Sequence, residues 1–215
     1  MLPEDPAWAG RNQHPDSQRS SRMNSSPLKE GLHIMNKRAT IVVDLQNEYL
    51  PDGKLPLVGL DAALANAARV IAAARAHGEL LIHVRHESAQ PDAPVFTPGT
   101  IGVQIIPAVA AEAGEPVIVK NHPNSFRGTQ LKELLDAQGV KELVVIGAMS
   151  HMCIEATSRA AADFGYPVTV AHDACATMNL EFDGTAVPAA QVHAASMAAL
   201  SFGYASITST DKHLA

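Results

Sequence analysis

Ala39-Thr40-Ile41-Val42-Val43-Asp44 and Leu143-Val144-Val145-Ile146-Gly147 are the two stretches that decide the fold. Each is nearly continuous apolar chain rather than an alternation, the pattern of a strand buried on both faces. Leu80-Leu81-Ile82-His83-Val84, Pro116-Val117-Ile118-Val119-Lys120, Val168-Thr169-Val170-Ala171 and Ala205 to Thr208 repeat it. Helical spacing fills the gaps. Leu60, Ala63, Leu64, Ala67, Ala68 and Ile71 recur every three or four residues, with Gly78 as a C-terminal stop. Leu131, Leu134 and Leu135 mark a short helix ending at Gly139. An Ala-rich helix runs from Met152 to Phe164 and stops at Gly165, and another covers Val187 to Ser201. Six strands alternating with helices imply parallel pairing and right-handed crossovers. The expected architecture is α/β, a three-layer α/β/α sandwich.

Composition bounds what such a chain does. It has 215 residues, 47% hydrophobic and 18% charged, with a formal net charge of −6. That is enough for one domain with a real core. The net charge gives no reason to expect a nucleic-acid partner, and no run of 18 or more apolar residues suggests a membrane one. The two cysteines, Cys153 and Cys175, are no disulfide scaffold and fit a reducing cytoplasm. Residues 1–34 are rich in Pro, Ser, Asn and Gln, without a hydrophobic period, and read as a disordered extension ahead of a 35–215 domain.

Ligands of open parallel sheets bind beyond the carboxyl ends of the strands. Strand one delivers Asp44 there, strand three delivers Lys120, and the turn after strand four delivers Cys153 at a helix start. Singly, each has a plain structural role: a turn cap, a snorkelling amine, a small buried hydrophobe. Together they form an acid, an amine and a thiol at one sheet edge. A helix N-terminus and a nearby lysine favour thiolate. Asp44 then exchanges protons as base and acid, and turn amides between Gly147 and Cys153 face a developing oxyanion.

At these residues the chain resembles the isochorismatase-like cysteine hydrolase superfamily. The matching pieces are Val42 to Tyr49, Val119-Lys120 with Asn124-Ser125-Phe126, and Gly147 to Thr157. The resemblance implies a sheet in the order 3-2-1-4-5-6 and an Asp44–Lys120–Cys153 triad. It also implies a cis peptide between Ala148 and Met149, which would aim the Met149 amide, with that of Cys153, into an oxyanion hole. Ser150 stands where Thr is commoner. Gln46 belongs to the matched stretch, Tyr49 matches an aromatic wall position, and His86 and His122 border the pocket, so with Ser150 these are the candidate substrate contacts. The members of the family act on small molecules, and a homo-oligomer, dimer or tetramer, is expected.

Departures from the family pattern narrow the chemistry. Nicotinamidases carry an Asp-x-His metal motif after strand two, where this chain reads His83-Val84-Arg85-His86-Glu87-Ser88. Residues three apart on a strand face opposite ways, so His83 and His86 chelate poorly. No catalytic metal and no other cofactor is expected. The expected function is a cysteine hydrolase cleaving an amide, ureide or carbamoyl C–N bond. The alternatives are vinyl-ether hydrolysis of the isochorismatase type and a non-catalytic binding protein on the same fold. Cys175 is expected to be structural, and Met178 to Pro188 a polar loop.

Overall fold

The computed structural model describes residues 37–215, so the 1–34 extension lies outside the described residues. Its sheet contains β1 (Arg38–Val43), β2 (Leu80–His86), β3 (Val117–Lys120), β4 (Glu142–Ala148), β5 (Val168–Ala176) and β8 (Ser206–Thr208). All pairings in it are parallel, in the order β3-β2-β1-β4-β5-β8. The eighth strand takes the sixth place because β6 (Leu180–Phe182) and β7 (Thr185–Val187) form a separate antiparallel hairpin.

The apolar runs of β1 and β4 face two ways, as their continuity requires. Val42, Val144 and Ile146 pack on α1 (Leu60–Ala76), through Ala63, Leu64, Ala67, Val70 and Ile71. Ile41, Val43, Leu143 and Val145 pack on α2 (Leu131–Ala137), α3 (Glu155–Asp163) and α4 (Ala189–Gly203), through Leu131, Leu135, Ala161, Met197 and Leu200. A final α5 (Thr210–Leu214) opens on Ser209, whose hydroxyl accepts from the Lys212 amide. At roughly 1.5–3 kcal/mol per fully buried aliphatic side chain, these two seams dominate the stability of the sandwich.

Two expectations change. The strand beginning at Val168 runs on to Ala176, beyond the polar His172 and Asp173 that interrupt its apolar run. A bulge allows this: the step from Val145 to Gly147 on β4 is matched by Val170 to Cys175 on β5. The segment 178–188, expected as a loop, is the β6–β7 hairpin, turned by Asp183 and Gly184 at φ 49° and 73°. Positive φ at both turn residues is the geometry whose twist matches paired strands.

At Gly147, β4 leaves no room for a side chain against β1. Its φ is +127°, and a Cβ there would lie 1.9 Å from the Val43 carbonyl oxygen, one residue before Asp44. A side chain cannot be accommodated without moving backbone. Gly147→Ala is expected to destabilise the domain by at least about 2 kcal/mol. Urea denaturation followed by circular dichroism measures this; a midpoint unchanged from wild type would show that β1 and β4 tolerate separation here.

Candidate active site

The carboxyl ends of β1, β3 and β4 converge. Asp44 follows β1 in the left-handed region, φ 52°, with its amide donating to the Val84 carbonyl at 2.8 Å. Asp is among the few residues that adopt this conformation at modest cost. Lys120 ends β3, two strands from β1, and its long stem carries the amine across β2. Cys153 lies in a π-helical turn, Ser150–Ile154, between β4 and α3. The peptide between Ala148 and Met149, which opens this turn, is cis.

Lys120 Nζ sits 2.7 Å from Asp44 Oδ2 and 3.3 Å from Cys153 Sγ. Asp44 is fully buried, Lys120 is 1% exposed and Cys153 6%. Burial pushes the Asp44 carboxyl above the usual carboxylate range, while Lys120 beside it and the Cys153 thiol pull it back. Apart from these two, neither carboxylate oxygen has a hydrogen-bond partner among the described residues. Its remaining lone pairs are therefore open to the thiol proton.

Burial, with the Asp44 charge added, pushes Cys153 up to about 12, and Lys120 offsets only part of that. Cys153 stands in the π-helical turn that runs directly into α3 at Glu155, so the helix N-terminus favours the thiolate and desolvation opposes it. Burial and the Asp44 charge thus oppose the thiolate that Lys120 favours.

The candidate substrate contacts divide. His86 is half-buried, with Nδ1 3.2 Å from Lys120 Nζ, and His122 lies close enough for its charge to bear on His86. Gln46 does not face a ligand: its amide nitrogen donates to the His86 and Val103 carbonyls, and its oxygen accepts from the His86 amide. Every polar group on that side chain is spent on holding the backbone. Ser150 is fully buried, with Oγ 2.8 Å from His193 Nδ1 and 3.3 Å from the Ala176 carbonyl, so it ties the turn to β5 and α4. Tyr49 is 1% exposed and packs edge-on against Phe96, which gives it a core role. His193 carries no local sequence signal for this contact, since its partner serine lies 43 residues away. Cys175 is buried, pushed up to about 12 by desolvation, and points at the Ala171 carbonyl.

The residues do not fit a metal of the nicotinamidase kind. His83 Nε2 turns to Glu115 Oε2, 3.2 Å away, while His86 turns to Lys120. Among the described residues no group of three His, Cys, Asp or Glu could hold a metal ion.

Comparison with known proteins gives the class to which a chain with this fold belongs. Residues 38–211 match the Isochorismatase domain, and the chain belongs to the isochorismatase family of hydrolases. It is 46% identical to the uncharacterised isochorismatase family protein YddQ of Bacillus subtilis, covering 82% of this chain and 98% of that one. It is 30% identical to nicotinamidase 3 of Arabidopsis thaliana (81% and 85%) and to maleamate amidohydrolase of Pseudomonas putida (64% and 71%). Among solved structures, an isochorismatase from Pseudomonas putida superposes with a TM-score of 0.78 at 40% identity, covering 83% and 90%. A cysteine hydrolase from Pseudomonas syringae superposes at 0.79 and 25% identity, covering 84% and 92%.

Proposed function

We propose that this hydrolase is a cysteine amidohydrolase cleaving a C–N bond in a small amide, ureide or carbamoyl compound. The observation that carries the reading is Lys120 Nζ lying between a buried carboxylate and a buried thiol. That arrangement has little use as packing, since burying two charges costs several kcal/mol each before they attract. Relatives that act on amides, the nicotinamidase and the maleamate amidohydrolase, support the reaction type. A thiol beside a buried carboxylate suits acyl transfer through a thioester, which favours it over vinyl-ether hydrolysis.

In the proposed cycle Asp44 takes the Cys153 proton as Sγ attacks the carbonyl carbon. The carbonyl electrons move onto oxygen, where the amides of Met149 and Cys153 stabilise them. The tetrahedral centre collapses, the C–N bond breaks, and Asp44 returns its proton to the departing nitrogen. Water, losing a proton to Asp44, attacks the thioester; the C–S bond breaks, the acid product leaves, and Asp44 hands its proton to Sγ to restore the thiol. Because burial raises the carboxyl, Asp44 is a stronger base than an exposed aspartate. Activity then falls as pH drops through a carboxyl raised above the ordinary range.

Screening amides, ureas and carbamoyl amino acids for ammonia release tests the reaction. No release across the panel from a folded preparation with an intact thiol would count against it.

The reading also places the enzyme in the cytoplasm as a homo-oligomer, with a 35–215 catalytic domain behind the 1–34 extension. No helix among the described residues is long and apolar enough to cross a membrane. Catalysis is taken to be metal-independent, since the two strand-two histidines reach different partners. Dialysis against a strong chelator is expected to leave at least about nine-tenths of the activity, against the 10–100-fold losses typical where metal binding is impaired. Loss on chelation with recovery on adding zinc, manganese or iron would refute it.

A further inference from the structure

Lys120 has a third neighbour that the reaction above leaves unused. His86 and Lys120 are register partners on β2 and β3, so their side chains leave the sheet on the same face. An ammonium carries three protons and no lone pair. Around Lys120 Nζ stand three acceptors: Asp44 Oδ2 at 2.7 Å, His86 Nδ1 at 3.2 Å and Cys153 Sγ at 3.3 Å. The count closes only if Nδ1 offers a lone pair. A proton on Nδ1 would set donor against donor inside a buried cluster, which costs more than an unmade bond.

We propose that His86 is a positioning residue of the Cys153 centre, held as the Nε2–H tautomer so that Nδ1 accepts from Lys120 and fixes the amine between Asp44 and Cys153. This rests on the thiol centre proposed above.

The surroundings of the ring are built for that task. Gln46 grips the His86 backbone from both sides, donating to its carbonyl at 2.8 Å and accepting from its amide at 2.7 Å. Phe96 meets the ring edge-on, with centroids 5.0 Å apart. The backbone that carries the imidazole is therefore fixed, and Phe96 flanks the ring. Burial, with Lys120 and then His122 beside it, brings His86 down to about 4, so the ring stays neutral and its lone pair stays available at neutral pH. Nε2 has no partner among the described residues and is not among their buried unpaired atoms. Its N–H is thus left as a donor on the solvent side of the centre. The role also explains why Gln46, in the segment following β1, commits its amide oxygen and one of its two N–H donors to a single residue of β2, the other N–H going to the Val103 carbonyl.

Two measurements on the full chain test this. Nitrogen-15 NMR of histidine-labelled protein, with His86 assigned by its loss in His86→Asn, reads the tautomer directly. The expected wild-type signature is a protonated Nε2 and a bare, hydrogen-bonded Nδ1, and the Nδ1 resonance should move in Lys120→Met. A protonated Nδ1 in wild type would overturn the proposal without any variant having to fold. The second measurement is the rate of Cys153 alkylation by iodoacetamide over a pH series, mapped by peptide mass to separate Cys175. His86→Leu, which keeps bulk but has no acceptor, is expected to slow alkylation about 10-fold, the worth of one hydrogen bond to a charged group. His86→Asn, whose amide oxygen can occupy the Nδ1 position, is expected to recover most of that. Equal rates in wild type, Leu and Asn variants would mean that the ring only packs. Failure of the nucleophile reading shows elsewhere: an active Cys153→Ala enzyme would remove the thiol chemistry and leave the tautomer result standing.

Discussion

Cys153→Ala is expected to abolish turnover, with a loss in kcat of about 10⁴–10⁶-fold, the range seen when a covalent nucleophile is removed. The structure isolates this effect from folding. Cys153 is a small side chain, 6% exposed, in a turn whose shape is set by backbone bonds such as those from the Met152 and Ile154 amides to the Met149 carbonyl. Removing one sulfur leaves the turn and the Asp44–Lys120 pair in place, so the circular dichroism spectrum should not change. The expected substrate complex is a thioester in wild type, trapped by acid quench and seen as a mass increase on the peptide containing Cys153. No such adduct should form in the alanine variant. Near-wild-type activity on a verified substrate would show that the thiol is a bystander and that Asp44 activates water directly. Burial pushes the thiol up and Asp44 lies beside it, so proton transfer to Asp44 is expected to accompany attack, and a solvent isotope effect on acylation would report it.

What could be read from the chain alone depended on how local each signal was. The runs at Ala39–Val43 and Leu143–Gly147 announce a doubly covered sheet, because a parallel strand between two helical layers must be apolar at every position. Asp44, Lys120 and Cys153 were findable for the same reason: each is the polar residue that ends, or shortly follows, such a run. The continuation of β5 was hidden because its bulge puts His172 and Asp173 where an apolar alternation would be sought; Asp173 in fact accepts from the Thr210 amide and hydroxyl. The β6–β7 hairpin does carry a sequence signal. Asp183-Gly184 between Leu180-Glu181-Phe182 and Thr185-Ala186-Val187 is a strong two-residue turn signal, masked by polar flanks. The side-chain partners of Gln46 and Ser150 were not legible at all, since they join residues 40 and 43 positions apart. At the thiol, a helix start and a lysine, both legible in the sequence, favour the thiolate, while the opposing desolvation is set by packing that no local stretch of sequence records.

Lys120→Met and Asp44→Asn are expected to behave as one change, not two. Each single variant should lose at least about 10³-fold in acylation rate, and the double variant should be hardly worse than the poorer single, because groups acting as a unit are non-additive. The directions follow from the site. Lys120 lowers both the Asp44 carboxyl and the Cys153 thiol, so its removal raises both, leaving a protonated acid that cannot accept and a thiol harder to ionise. Asp44→Asn removes the acceptor outright. Stability should trace the same cycle with the opposite outcome for the double. Lys120→Met strands a fully buried carboxylate and Asp44→Asn strands a buried amine, each at a cost of about 3–5 kcal/mol, eased where the stranded group becomes neutral. Removing both leaves two neutral side chains of similar volume, which is often neutral or stabilising. The double variant is therefore expected to be more stable than either single one while remaining inactive. Urea denaturation of all four proteins measures one side of the cycle, and rapid-quench acylation the other. Independent losses, multiplying in rate and adding in stability, would mean that Lys120 and Asp44 serve separate purposes. The base for Cys153 would then have to be sought elsewhere among its neighbours.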